Sequence, residues 1–496
     1  MNGRQIVWHG FAWGLLAGTA LTALMYLAAA FLGLTPLPQA LSQPFLSVLP
    51  GPIFGFLIDT LQHAGKVVEE MGFIIGMIVA LGVLGAAWAW SMVRWPALYS
   101  HYLFAAFGWL VVALVVLPIS GMGLLGLNDG LATPFVWAAL FAVYAFVLSL
   151  AAPTPDRPTD FARRRLLSTL PLTIGALSVG ALALRLLPDW YGAVFAPPGS
   201  NLHGLSPDLT PVKDFYVVSK NFMDPQVDSR TWRLQVGGLV SRPLNLSLSD
   251  LRALPSISED VTLECISNNV GGGLISTGHF TGVSLKDLLS SAAPSPQATW
   301  VAFKAVDGYT ESLPLAVIMS SPEIQVAYDL DGAPLPTSHG SPARILIPGR
   351  YGMKGPKWLS SIDLVVGEAA GYWETQGWDH NAIARTTSRF DVPADGDTVK
   401  LGAIPLGGIA YAGVRGISKV EWSADGGATW HQAVLQAPLS PYTWVLWSAS
   451  WSPTRASAYR LQVRATDGKG AVQQSSGSAS FPSGASGYHT INVNVG

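Results

Sequence analysis

The chain has one cysteine, Cys265, in 496 residues. A single thiol excludes an internal disulfide, and the absence of a C-x-x-C-H run excludes covalently attached c-type haem. Charge is also scarce. Charged residues make up 12% of the chain, the net charge is −2, and no basic stripe is present. Such a balance argues against nucleic acid as a partner. Charge is thinnest over residues 5–150, where only Asp59, Lys66, Glu69, Glu70, Arg94 and Asp129 carry it.

What fills the space left by charge is apolar. Hydrophobic residues reach 50% and the mean hydropathy is +0.36, high for a soluble enzyme. The excess sits in the first 190 residues, so the pattern is that of a membrane protein fused to a soluble one. Apolar runs near 6–33, 70–92, 101–119, 133–151 and 166–187 each approach the roughly 20 residues needed to cross a bilayer core. The stretch 44–68, with its prolines, glycines and the polar Asp59, His63 and Lys66, reads as an amphipathic or re-entrant piece. Arg4, Arg94 and the cluster Arg157, Arg163, Arg164 and Arg165 fall on alternate loops of one side. The positive-inside rule makes that side cytoplasmic and places everything after Leu187 outside. His9, His63 and His101 lie in or beside these runs; a pair could ligate a b-type haem, and interfacial or hydrogen-bonded histidines are the alternative.

The length predicts about three domains, and the pattern predicts a multi-domain chain. An α-helical membrane domain spans 1–190. A Pro/Gly-rich linker covers 191–211. Mixed short strands and serine-capped helices over 212–400 predict an α+β domain. From 401 to 496, short strands separated by turns such as Asp425-Gly426-Gly427 and Asp467-Gly468 predict a β-sandwich.

Cys265 ends the strand-like run VTLEC and is followed by SNNVGGG. A lone cysteine can be a buried apolar side chain. The polar and glycine-rich residues after it favour the other reading, a sulfur at the mouth of a loop where backbone can approach a ligand.

From about Ser206 onward the chain resembles the sulfite oxidase family of molybdenum enzymes. The resemblance rests on VTLEC with the following TGVSLKDLL, on SHGSPARILIPG, on YGMKGPKWL and on VDGY. It implies a molybdenum–molybdopterin cofactor with Cys265 as the one protein ligand to the metal, a soft thiolate suited to a transition metal. It also implies pterin contacts from Ser219, Lys220, Asp307, His339, Arg344, Gly355, Pro356 and Lys357, and places Asn268 and Trp378 near the reacting centre. The last domain is implied to be immunoglobulin-like and to mediate a homodimer.

The departures from the family carry information. Arginines that hold sulfite in the family are replaced here by Val218, Asn269 and Val270, and a tyrosine is replaced by Trp378. Neutral side chains cannot supply an arginine's paired hydrogen bonds. With Asn268, Asn269, His279 and Trp378 the pocket would be less cationic, suited to a neutral or larger molecule such as an S- or N-oxide, with sulfite the alternative. For Trp378 and His279, plain packing roles stand beside the site reading. The run ARRRLL at 162–167 resembles a twin-arginine export signal, with ordinary membrane anchoring as the alternative. The expected function is therefore a membrane-anchored molybdopterin oxidoreductase. It would act on a small extracytoplasmic substrate and exchange electrons with a cytochrome or quinone-linked partner. The alternative is a membrane-tethered binding or scaffold protein that retains the fold.

Overall fold

The structure, a computed structural model, describes residues 3–32, 34–48, 64–95, 100–128, 130–151, 171–184, 186, 204–221 and 224–496. The chain divides into two compact units, the second holding everything from Pro197 onward.

The first unit is helical: α1 (Gly3–Leu32), α2 (Leu37–Val48), α3 (Ala64–Arg94), α4 (His101–Val111, continued to Ile119), α5 (Thr133–Ala151) and the shorter α6 (Pro171–Leu184). Four spans, Arg4–Leu32, Val67–Met92, His101–Ile119 and Thr133–Ala151, are long and apolar enough to cross a membrane. Small residues let α1 and α3 pack backbone to backbone. A Cβ on Gly14 would lie 2.8 Å from the Leu81 carbonyl oxygen, and one on Gly85 would lie 2.6 Å from the Gly14 Cα. Close approach through small residues is how apolar helices associate when no hydrophobic contrast with the surroundings drives them together. Trp88, Trp137, Tyr144 and Met25 fill the interior, while Phe135, Phe107, Leu172 and Leu184 face outward. The Tyr144 hydroxyl donates to the Leu81 carbonyl (2.6 Å), and Tyr26 donates to Glu70 (2.7 Å).

Of the expected histidines, His9 accepts from the Trp13 indole (3.2 Å) and His101 packs on Tyr102. His63, Asp59, the arginine cluster at 157–165 and most of the expected linker lie outside the described residues.

The second unit begins with a five-stranded sheet in the order β2-β1-β10-β5-β6. Its strands are β1 (Arg233–Gly238), β2 (Leu244–Ser247), β5 (Trp300–Ala305), β6 (Thr310–Pro314) and β10 (Leu359–Val365). Beside it runs a sheet of β3 (Ser256–Glu264), β4 (Ile275–Ser284), β7 (Gln325–Leu330) and β8 (Ala333–Pro334), with β9 (Arg344–Leu346) paired to β7. Helix α7 (Leu248–Ala253) starts on a Ser247/Asp250 capping box, and α8 (Leu285–Ala292) on Ser284. Leu285, Leu288, Leu289 and Ala292 all face inward from α8, the spacing of one helical face, and share a core with Leu234, Phe303, Ile345 and Ile362 from the strands.

Two further sheets, one of β11 (Thr387–Val392), β13 (Ile404–Tyr411), β17 (Val445–Trp451) and β16 (Val434–Leu435), the other of β12 (Thr398–Val399), β19 (His489–Val495), β18 (Ser457–Asp467), β14 (Ile417–Ser423) and β15 (His431–Gln432), each in that order, enclose one core of Phe390, Trp447, Val420, Leu461 and Val493. This is the β-sandwich expected from the turn spacing. Its first strand, β11, pairs antiparallel with β13. The expected boundary at 401 therefore falls inside the sandwich. The change in sequence pattern lagged the structure because β11 reads, by itself, like the strands before it.

The sandwich grips β3 just before the cysteine. Thr262 donates its N–H to the Tyr442 carbonyl (3.1 Å) and its carbonyl accepts from Tyr411 (3.1 Å). His489 on the sandwich accepts the Phe390 N–H (3.0 Å). Burial, with the nearby Arg389 charge, pushes its imidazolium down to about 4. A base depressed below its unfolded value of about 6.5 contributes stability that is present above that value. The contribution is lost as pH falls through the folded value. Thermal unfolding of the isolated second unit is therefore expected to lose up to roughly 3 kcal/mol between about pH 6.5 and 4. His489→Gln, which accepts the same hydrogen bond, should flatten that part of the profile.

Candidate active site

β3 and β4 pair in register from Ser256↔Val283 to Glu264↔Ile275, and the Cys265 N–H continues the ladder to the Leu274 carbonyl (2.9 Å). The cysteine is thus fixed at the last rung, half-buried, on the wall of a cavity of about 920 Å³ that includes its open mouth. Its Sγ lies 3.0 Å from Ser267 Oγ. Burial pushes the thiol up from its ordinary value, and the Ser267 hydrogen bonds oppose the shift. Without a metal the sulfur is therefore a thiol; a bound cation would deprotonate it.

Ser219, Lys220, Asp307, His339 and Arg344 line the same cavity, as do Gly355, Pro356, Lys357 and Trp378. Residues from five separate stretches converge there. Lys220 donates to the Asp307 carbonyl (2.9 Å) and pairs with its carboxylate at 3.3 Å. Burial lowers the Lys220 ammonium while Asp307 supports it. Ser219 Oγ accepts the Asn221 N–H (3.2 Å), and the Asn221 side chain donates to Asp307 (2.8 Å), so that wall is internally satisfied.

A second part of the wall carries two cations, Arg344 and Lys357. Arg344 is buried and donates at 3.3 Å to the carbonyls of His339 and Gly355, yet its Nε has no partner among the described residues. Lys357 donates to the Ser338 carbonyl (2.8 Å). Burial, then Arg344 and Lys357, push the His339 imidazolium down to about 3, and burial lowers the Arg344 guanidinium to about 10. An anion seated against these groups would reverse both shifts. An orphaned buried guanidinium N–H beside Lys357 is what a phosphate-bearing cofactor requires. The donor set fits a thiolate-ligated metal with a phosphorylated organic ring system.

Two expectations about the cysteine loop are corrected. Asn268 does not line the cavity: its amide donates to Glu264 (2.9 Å) and accepts the Leu274 N–H (2.9 Å), so it ties the loop together. The loop glycines serve packing rather than ligand approach. Gly271, at φ +76°, leaves room for the His489 ring, and a Cβ on Gly272 would lie 2.5 Å from Asn268 Oδ1. His279 is likewise remote, paired with Asp260 across β3 and β4 (2.7 Å). Trp378, by contrast, lines the cavity. It is buried edge-on against Phe481, and its indole N–H has no partner among the described residues. Val218 stands at the wall where the resemblance expected an arginine, and Asn269 and Val270 lie off it. Tyr216, Tyr309, Met353, Trp358 and Trp373 also line the cavity. Only Trp358, next to Lys357, carried a sequence signal.

Residues 221–373 match the oxidoreductase molybdopterin-binding domain, and residues 382–495 match the Mo-co oxidoreductase dimerisation domain. Mitochondrial sulfite oxidase of Homo sapiens is 31% identical over 285 residues, 48% of this chain and 52% of that protein. Sulfite oxidase of Gallus gallus is 28% identical over 316 residues, covering 54% and 68%. This chain belongs to the sulfite oxidase family of molybdopterin oxidoreductases. The family's cofactor, molybdenum–molybdopterin, is the cofactor of this chain. The chain spans about half the length of the human relative. Among solved structures, the sulfane dehydrogenase SoxCD from Paracoccus pantotrophus has a TM-score of 0.50 at 23% identity, covering 55% of this chain and 76% of that one. At that identity the likeness is one of fold.

Proposed function

We propose that this chain is a membrane-anchored molybdopterin oxidoreductase catalysing two-electron oxygen-atom transfer on a small substrate outside the cytoplasm. The observation that carries the reading is one cavity lined by both the sole cysteine and Arg344, whose buried Nε has no partner among the described residues. Cys265 Sγ is the protein ligand to the metal. His339, Arg344 and Lys357 seat the anionic end of the cofactor, with Gly355 and Pro356 supplying backbone, and Ser219, Lys220 and Asp307 form the facing wall. When bound, the group supplies a two-electron redox centre able to give or take an oxygen atom.

The substrate side has Val218 and the aromatic faces of Trp373 and Trp378 in place of paired arginines. A dianion would be desolvated there without compensation. A neutral S- or N-oxide is the substrate class that suits this wall, its oxygen accepting from the Trp378 indole. Four apolar helices support the anchor, and Arg4 and Arg94 mark one side as cytoplasmic; an outward-facing second unit then needs the shorter α6 (Pro171–Leu184) as a fifth crossing. The dimerisation-domain match supports pairing of two copies through an immunoglobulin-like sandwich, with a cytochrome or quinone-linked partner taking or supplying electrons.

Purified full-length protein is expected to contain molybdenum and pterin near one per chain. Arg344→Ala, which removes the buried guanidinium, is expected to lower pterin content and affinity by about 10–100-fold with Cys265 intact, a loss of the size seen when a supporting contact of a metal site is removed. Wild-type protein free of pterin after purification under conditions that retain metal cofactors would overturn the reading in favour of a binding scaffold.

A further inference from the structure

One layer behind the cavity wall lies a cluster that neither the sequence motifs nor the cofactor reading uses. Lys354, 2% exposed, contacts Oε1 of Glu311 and, at 2.8 Å, Oε1 of Glu374. Both acids are buried, and the Oε2 atom of each has no hydrogen-bond partner among the described residues. Both carboxyls converge on the same ammonium. Two ionised carboxylates against one ammonium would leave a negative charge uncompensated in a dry interior, a costly arrangement that one shared proton removes. Burial holds the Glu311 carboxyl well above the ordinary carboxylate range, with Lys354 pulling it down and Glu374 pushing it up. The Arg350 guanidinium lies within electrostatic reach of Glu311 and Asp379, and the Tyr309 hydroxyl feels both acids together with Asp307 and Cys265.

The cluster adjoins the cavity along every strand of chain that builds it. Met353 and Gly355, on either side of Lys354, line the wall, as do Tyr309, two residues before Glu311, and Trp373, immediately before Glu374. Tyr309 also donates to the Met353 carbonyl (2.7 Å), joining the two faces of the layer.

We propose that Glu311 and Glu374 share one proton beside Lys354, and that the pair is a proton store for the cavity, filling as the cavity gains electrons and emptying as it loses them. This rests on the cavity being the redox site argued above. On reduction of the holoprotein the electrons come from the reductant and the proton from water. The remaining carboxylate takes that proton, so the pair passes from one proton to two. Oxidation reverses both. Coupling is reciprocal: negative charge entering the cavity raises the pair's proton affinity, and protonating the pair favours the reduced state.

The test compares wild type with Glu311→Gln, which leaves Lys354 paired with Glu374 alone. In cofactor-free protein at about pH 8, where ordinary carboxyls are ionised, infrared spectra should show a protonated carboxyl C=O band that the variant lacks. In holoprotein of measured molybdenum and pterin content, reduction by dithionite in weak buffer with a pH indicator should draw roughly one more proton per molecule in wild type than in the variant. Equal proton uptake, or no carboxyl band in wild type, overturns the proposal. Protein that shows the band but never contains pterin overturns the coupling to the cavity together with the functional reading. If Glu311→Gln unfolds, Glu374→Gln is the second variant, with the same expected losses.

Discussion

Replacing Cys265 with alanine is expected to remove molybdenum-dependent turnover almost entirely, by more than the 10–100-fold that follows loss of a mere supporting group. The reason is local. The residue occupies the last rung of the β3–β4 ladder, and its sulfur is the only one a cysteine could bring to the cavity in this chain. The fold should be little disturbed, because the side chain is half-buried and the neighbouring ladder is made by backbone. The pterin is expected to remain partly bound, since Arg344, His339 and Lys357 seat its anionic end from the opposite side. Metal and pterin analysis of the same preparation therefore separates the two contributions: metal falls steeply, pterin falls less. Turnover at the wild-type rate with metal present would remove Cys265 from the site.

Lys354→Met is expected to destabilise the second unit by about 3–5 kcal/mol, the cost of breaking a buried ion pair by removing one partner. Glu311 and Glu374 would be left without the cation they share, and the Arg350 guanidinium, which feels Glu311, is engaged by the Asn381 carbonyl. The loss should depend on pH with a definite sign. Glu311 has a folded value raised above its unfolded value of about 4.3, so the stability tied to its protonated form is full below that value and declines as pH rises through the folded value. Without Lys354 opposing the rise, the decline should be steeper. The variant should approach wild type near about pH 4 and fall furthest behind it in the alkaline range. Denaturant melts at several pH values would read this directly, and a penalty independent of pH would show that the carboxylates find other compensation.

The two variants probe parts of the molecule that differed in how legible they were. Cys265, His339, Arg344 and Lys357 could be picked out from the sequence because each sits in a short motif whose neighbours constrain it, and the cavity gathers them. Asn268 misled for the same reason. Its place three residues past the cysteine is a motif position, but the Glu264 and Leu274 groups that claim its amide are set by the loop's path. Gly271 of SNNVGGG misled similarly, since its close neighbour is His489, far along the chain.

The sequence by itself determined the division into an apolar helical part and a polar remainder, because hydropathy and period are properties of neighbouring residues. It also determined the β-rich character of the last hundred residues and the chemistry available to a single thiol. Only the tertiary structure decided which side chains face the cavity, that β11 belongs to the sandwich, and that Glu311 and Glu374 meet at Lys354. Those facts depend on strand register and on contacts between distant segments. No local pattern encodes them, since a buried Glu reads in sequence as any exposed one does until the charge that neutralises it is brought alongside.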